Sequence, residues 1–311
     1  MTLQRALDLA GAARGRAYPK PTVGAVLVND GEVVGEGVTE AGGRHGERVA
    51  LDAAGERAHG ATMYVTLEPC AHVGTTPPCA DAIVAAGVER VVVGALDPNP
   101  VAAGGADRLR AAGVDVELAD WFEARQLHEA WRTWVSLGRP FVTYKVAVTL
   151  DGRVAVPGRR WVTGEESRRL VHELRAASDA VAVGAGTART DRPRLDARGV
   201  ETPKGQPRRL VFARGEVPDL GLEQHRGALA DELQGLGAEG VQSLLLEGGP
   251  KLAAAFLGAD LIDKLVLFVA PETAGAGPAF LPPLDSPRAL TRLTHDRIGE
   301  DVLLTAYVHE P

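Results

Sequence analysis

The sequence predicts an α/β protein of two domains. At 311 residues the chain is longer than one ordinary domain needs. Short valine-rich runs alternate with stretches of helical spacing in both halves, as in sheets flanked by helices. Gly138-Arg139-Pro140 punctuates the chain near its middle. The expected division is 1–119 for the first domain, a connecting helix over 120–140, and 141–311 for the second.

In the first domain Leu3, Ala6, Leu7 and Ala10 recur at helical spacing. Val23 to Val28 is a continuous apolar run that ends at Asn29-Asp30-Gly31, a turn signal, and Val33-Val34 resumes, so a hairpin is expected. Helices are expected over 48–57, 79–86 and 106–112, and strands over 62–67, 90–95 and 114–118. The linking segment carries Trp121, Trp131 and Trp134, three of the four tryptophans, together with Phe122 and Leu127, and this cluster is expected to pack between the domains. In the second domain strands are expected over 141–148, 180–184, 208–213, 243–247, 264–270 and 302–308, with helices between them such as 165–176 and 251–257. Loops are expected over 203–207 and 274–278.

The net charge of −7, with no lysine- or arginine-rich block, argues against a nucleic-acid partner. No apolar run approaches the roughly 18 residues of a membrane helix. Met1 leads directly into the amphipathic stretch, so no signal peptide and a cytoplasmic, reducing setting are expected.

The chemistry concentrates in His45-x-Glu47, Pro69-Cys70 and Cys79, which include both cysteines of the chain. One imidazole and two thiolates make three zinc ligands, and three protein ligands keep a fourth position for water. Zinc lowers the pKa of that water to about 7. Glu47, a carboxylate beside the ligands, is then the proton shuttle, general base first and general acid second. This is the equipment of hydrolytic base deamination. Eight residues separate the cysteines, so a tight C-x-x-C knuckle is excluded and the Pro- and Gly-containing insert forms a loop beside the metal. His45 and Cys79 each fall at a predicted helix start, where partial positive charge favours a thiolate, and Cys70 follows a strand. Such ligands define a site at the sheet edge.

The alternatives are a pair of buried small cysteines or a disulfide. His72 is either a pocket residue or a solvated loop histidine. Asp97 and Asn99 are turn formers by type. In the second domain no G-x-G-x-x-G follows a strand: Gly184-Ala185-Gly186-Thr187 lacks the third glycine. Glu247-Gly248-Gly249 lies between an apolar strand and a helix, where backbone N–H groups can meet a phosphate or simply turn the chain.

The chain resembles the bifunctional deaminase–reductases of riboflavin biosynthesis. The residues that carry the likeness are Thr66-Leu67-Glu68-Pro69-Cys70-Ala71-His72, Thr76-Pro77-Pro78-Cys79 and Asp97-Pro98-Asn99-Pro100 in the first half. In the second they are Lys145, Leu150-Asp151-Gly152, Trp161-Val162-Thr163-Gly164, His172-x-Leu174-Arg175-Ala176, Asp191-x-Pro193-x-Leu195, Arg198 and Glu247-Gly248-Gly249. The resemblance implies a cytidine-deaminase-like first domain with flanking helices and a dihydrofolate-reductase-like second domain. It implies zinc, NADPH, and a small phosphorylated pyrimidine whose ring amine is hydrolysed and whose ribosyl unit is reduced to ribityl. It implies substrate contacts at His72, Asp97, Asn99, Lys145, Arg175, Leu195, Arg198 and Glu247, the two arginines suiting a phosphate. It places Val148, Trp161, Thr187, Asp191, Gly249, Pro250, Lys251 and Leu252 at the cofactor, and Asp151 nearby. A homo-oligomer is expected from family precedent.

Five positions depart from the family's usual residue: Lys20 for Asn, Gly46 for Ala, Thr75 for Lys or Arg, Arg159 for Ser, and Lys251 for a small residue. Lys20 is expected to replace part of the charge missing at Thr75, and Gly46 to loosen a helix start slightly. The alternative is a deaminase half that is impaired or acts on a related pyrimidine nucleotide. A nucleic-acid base deaminase accounts for the first half alone, and a zinc-stabilised binding module leaves Glu47 idle.

Overall fold

The computed structural model describes residues 2–72, 77–284 and 286–311. It divides into two compact units, Met1–Leu137 with Pro311, and Gly138–Glu310.

The first unit runs α1 (Thr2–Ala12), β1 (Gly24–Asn29), β2 (Glu32–Val38), α2 (Gly46–Ala54), β3 (Thr62–Val65), α3 (Cys79–Ala85), β4 (Arg90–Val93), α4 (Gly105–Ala111), β5 (Asp115–Leu118), α5 (Phe122–Leu127) and α6 (Glu129–Leu137). Its sheet has the order β2-β1-β3-β4-β5, with β3, β4 and β5 parallel and the β1–β2 hairpin antiparallel. The hairpin closes through Asp30 and Gly31, both at positive φ (49° and 80°), the two-residue geometry that matches strand twist. Leu27, Met63, Ile83 and Leu109 are fully buried between sheet and helices. Helix α2 lies directly on β2. A Cβ on Gly35 or Gly37 would stand 2.3 Å from Ala50 O or 2.2 Å from Gly46 O, so only glycine permits this approach.

The segment expected as one connecting helix is two helices, separated at His128, and both belong to the first unit. Trp131 and Trp134 sit together with ring centres 5.5 Å apart.

The second unit runs β6 (Phe141–Thr149), α7 (Glu165–Ala177), β7 (Ala180–Gly184), α8 (Ala185–Asp191), β8 (Arg208–Phe212), β9 (Glu223–His225), α9 (Leu229–Ala238), β10 (Ser243–Leu246), α10 (Pro250–Gly258), β11 (Lys264–Ala270), β12 (Thr291–Ile298) and β13 (Asp301–Tyr307). Its eight strands have the order β12-β13-β11-β6-β10-β7-β8-β9. The pairs from β11 through β9 are parallel, and β13 and β12 complete the sheet antiparallel. Tyr144, Leu210, Leu233 and Phe256 anchor its main core. No described helix is long and apolar enough to cross a membrane.

Candidate active sites

The metal pocket stands at the carboxyl ends of the parallel strands β3 and β4. His45 caps α2 in an extended conformation, Cys79 is the first residue of α3, and Cys70 lies in the loop after β3. Their ligand atoms all lie within 4.8 Å of one another. His45 Nδ1 is 3.2 Å from Cys79 Sγ and 3.6 Å from Cys70 Sγ. The Cys79 N–H donates to Cys70 Sγ at 3.3 Å. The side-chain hydrogen bond between the two thiols is the largest influence that pulls the Cys70 thiol down, and the Cys79 N–H adds to it. That thiol–thiol bond, reinforced by burial, pushes Cys79 up. Two thiols this close share one easily lost proton; a cation among them favours ionising both. Both cysteines are free, which sets aside the disulfide alternative in this structure.

Glu47 completes the pocket. It is 3% exposed, burial pushes its carboxyl up, and its Oε2 meets no hydrogen-bond partner among the described residues. A buried carboxylate oxygen without a partner costs free energy. It fits a group that waits for water, metal or substrate. An imidazole, two thiols and this orphaned acid suit zinc.

The surrounding backbone is fastened by Glu68, a residue quoted in the sequence only for its place in the motif. Glu68 Oε1 accepts from Gly104 N (3.1 Å) and Ala106 N (2.9 Å), and Oε2 accepts from Asp97 N (3.2 Å). The Ala71 N–H donates to Ala102 O at 3.0 Å. A Cβ on Gly105 would stand 1.6 Å from Pro69 O. The 97–106 loop is thereby locked to the strand end that delivers Cys70. Asp97 Oδ1 accepts from Asn99 N at 2.9 Å and Asn99 Oδ1 from Val101 N at 3.1 Å, so both side chains do form turns. His72 is half-buried, and its Nδ1 has no partner among the described residues. Lys20 is exposed, near enough to Gly43 that a Cβ there would meet its Nζ at 2.9 Å. Thr75 and Thr76 lie outside the described residues.

Gly46 sits in tight packing. A Cβ at this position would stand 2.3 Å from Val23 O, so glycine here allows close packing of α2 against the strand.

The second constellation stands at the carboxyl ends of β10 and β7, where open parallel sheets bind ligands. Lys145 projects from β6, and Glu247 follows β10, the neighbouring strand. Arg175 of α7 grips Glu247 with two bonds, 2.6 Å and 2.9 Å, and donates a third to Asp196 O at 3.1 Å. Burial alone pushes Glu247 up. The bonds from Arg175 and the charges of Lys145 and Arg175 overcome it, and the carboxyl ends below its ordinary value. Burial holds the Lys145 ammonium below its ordinary value, against the pull of Glu247. Arg175 is committed to Glu247, so in this structure it orients that carboxylate rather than offering a free fork to a phosphate. Arg198 is more open, 44% exposed with one bond to Asp196. Leu195 is 1% exposed, in the core beside Val181 and Val211, with its backbone at φ 57°. Val148 is also a core residue.

Gly249 caps α10, Pro250 occupies its first turn, and Thr187 Oγ1 lies 3.4 Å from where a Gly249 Cβ would be. Leu252 fills the space left by Gly184 and Gly248, with contacts of 3.4 Å and 2.8 Å to their Cβ positions. Lys251 and Asp191 are exposed. Trp161 is 54% exposed, with Arg160 and Arg168 over its ring at 5.0 Å and 5.5 Å. A cleft of about 420 Å3 lies among these residues and Arg159, which forms an ion pair with Glu272. Asp151 accepts from Thr149, Ala274 and Gly275, and these bonds, that of Thr149 first, hold its carboxyl down at about 2. It fastens a loop. Asp301, absent from the sequence expectations, accepts from Gly164 N and Ser167 Oγ and fixes the start of α7.

Fold and pocket thus define a two-domain α/β protein whose first half is of the cytidine-deaminase class. Residues 1–95 match the cytidine and deoxycytidylate deaminase zinc-binding region, and residues 140–304 match the RibD C-terminal domain. The riboflavin biosynthesis protein RibD of Aquifex aeolicus is 39% identical, with 88% of this chain and 87% of that protein covered. The Mycobacterium tuberculosis RibD is 42% identical over 87% and 84%. Among solved structures, the diaminohydroxyphosphoribosylaminopyrimidine deaminase/5-amino-6-(5-phosphoribosylamino)uracil reductase of Thermotoga maritima superposes with a TM-score of 0.83 at 33% identity, covering 98% of this chain and 97% of that one. An Acinetobacter baumannii RibD superposes at 0.81 with 35% identity over 98% and 97%. The chain belongs to the RibD family of riboflavin biosynthesis proteins.

Proposed function

We propose that this chain performs both reactions for which the Thermotoga relative is named. The first unit hydrolyses the ring amine of 2,5-diamino-6-(5-phosphoribosylamino)pyrimidin-4-one and releases ammonia. The second reduces the ribosyl group of the product to ribityl. Zinc and NADPH are the cofactors. The observation that carries the reading is the His45, Cys70 and Cys79 cluster with a buried, unpartnered Glu47 beside it.

When bound, zinc supplies an activated water for attack on the amine-bearing carbon. His45, Cys70 and Cys79 hold the metal. Glu47 Oε2, with no competing partner, takes the water's proton and returns it to the departing amine. His72 Nδ1 and the Asp97–Asn99 turn bind and orient the pyrimidine. In the second unit NADPH supplies the hydride. Glu247 meets the substrate's hydroxyl groups, and Arg175 keeps it ionised and aimed. Lys145 neutralises charge beside it, and Arg198 meets the phosphate. Trp161, Thr187, Asp191 and the Gly249–Leu252 stretch line the cofactor's place. Two cysteines needed as thiolates suit a reducing cytoplasm. A homo-oligomer follows from the family precedent.

Metal removal tests the assignment. Chelated protein is expected to lose ammonia release while still oxidising NADPH on the deaminated substrate, with zinc restoring the first activity. Ammonia release that persists without metal overturns it.

A further inference from the structure

The loop after β4 carries Asp97 and Asn99, and α6 reaches it from behind. The Arg132 guanidinium donates to Leu96 O at 2.6 Å, and its backbone N–H is held by His128 O at 2.9 Å. His128 is 3% exposed and unpartnered at Nε2 among the described residues, a neutral packing group at the break between α5 and α6. The indole Nε1 of Trp131 is buried and has no hydrogen-bond partner among the described residues. Arg132 acts on the Asp97 carboxylate through space: burial raises Asp97, and the Asn99 N–H and Arg132 oppose that rise while Glu68 adds to it. Arg132 itself is partly desolvated, with Asp97 and Asp120 as its compensating charges. Arg132 is half-buried: one guanidinium nitrogen is spent on the Leu96 carbonyl, while its Nε has no partner among the described residues. Glu68 holds the near side of the turn and Arg132 the far side.

We propose that Arg132 is a positioning residue for deamination: it clamps the Leu96–Asn99 turn and so sets the placement of Asp97 in the pyrimidine pocket. The inference rests on the pocket role given to Asp97 above. Arg132 touches neither substrate nor metal. Its removal therefore misplaces a binding group and leaves the proton path through Glu47 intact.

The experiment uses the full zinc-loaded chain, the phosphorylated pyrimidine, and separate readings of ammonia release and NADPH oxidation. Arg132→Met is expected to raise the deaminase KM about tenfold, within the range known for small displacements of bound groups, with kcat nearly unchanged. Arg132→Lys, which keeps one donor for Leu96 O, should recover part of that loss. Zinc content and NADPH oxidation should not move. In an Asp97→Asn background Arg132→Met should add little, because both changes strike one interaction. If Asp97→Asn leaves KM untouched, the pocket role of Asp97 fails. If Asp97→Asn raises KM and Arg132→Met does not, or the two effects simply multiply, the clamp itself is wrong. Loss of zinc in Arg132→Met would show a merely structural role and also overturn it.

Discussion

Glu47 and Glu247 are the same residue in two pockets of one chain, and their surroundings are opposite. Both lie out of water. Glu47 has an oxygen with no partner, and burial pushes it up. Glu247 is gripped twice by Arg175, with Lys145 nearby, and ends below its ordinary value. A carboxylate that must take and return a proton works best near the operating pH, whereas one that binds and orients works as a fixed charge. The pairing, rather than the residue type, separates the two tasks.

The largest expected effect is at Glu47. Glu47→Gln should cut ammonia release by about 10²- to 10⁴-fold, the usual worth of a general acid–base group, with zinc retained and NADPH oxidation intact. Removing an unpaired buried charge should leave thermal stability equal or higher. Full ammonia release from this variant refutes the contrast at its active end.

Glu247→Gln should behave the other way. It leaves Arg175 buried without its anion, a change worth about 3 kcal/mol or more, read as a lowered Tm and a weakened reductase KM. The sign of the pH dependence follows from the direction of the shift. Folding favours ionised Glu247, so the wild-type advantage over the variant is complete above the ordinary glutamate pKa of about 4.3. It should fade as pH falls through the lowered folded value. A stability gap that stays constant through that range contradicts the pairing.

The two halves also differ in how much the sequence disclosed. In the first, the β1–β2 hairpin was legible because Asp30-Gly31 encodes its own turn, and the metal ligands because their types admit few other uses. What the sequence hid there was contact at a distance. Nothing local says that Glu68 takes three backbone N–H groups from the 97–106 loop. Nor does it say that Arg132 reaches Leu96. In the second half β12 escaped notice because seven of its eight residues are exposed, so no apolar alternation marks it. The resemblance places Leu195 at the substrate and Val148 at the cofactor, and the sequence does not show that both side chains also pack in the core. Arg175 suits a phosphate by type, and nothing local in the sequence pairs it with Glu247, 72 residues on.

Gly46 sharpens the comparison at the level of packing. Gly46→Ala places a methyl against Val23 O, and overpacking of this kind costs about 1–3 kcal/mol. A lowered Tm with reduced zinc retention is expected, because His45 is the neighbouring residue. An unchanged Tm would mean that α2 shifts freely, and that the metal pocket is less rigidly built than the Arg175–Glu247 pair.

The smallest effect concerns Lys20. This lysine is exposed beside Gly43, and its positive charge reaches His45, where it opposes the dominant raising influence of the Cys70 hydrogen bond. Such an exposed cation is the one expected to meet the substrate's phosphate in place of Thr75. Exposed charge pairs contribute about 0.2–1 kcal/mol, which corresponds to roughly one and a half to fivefold in KM. Lys20→Asn should therefore raise the deaminase KM by about that factor, with less effect at high salt, where screening already weakens the contact. The reductase KM should not change. If the asparagine variant binds its pyrimidine as well as or better than the parent, the lysine does not compensate for Thr75, and the first pocket recognises its substrate without a cation at this position.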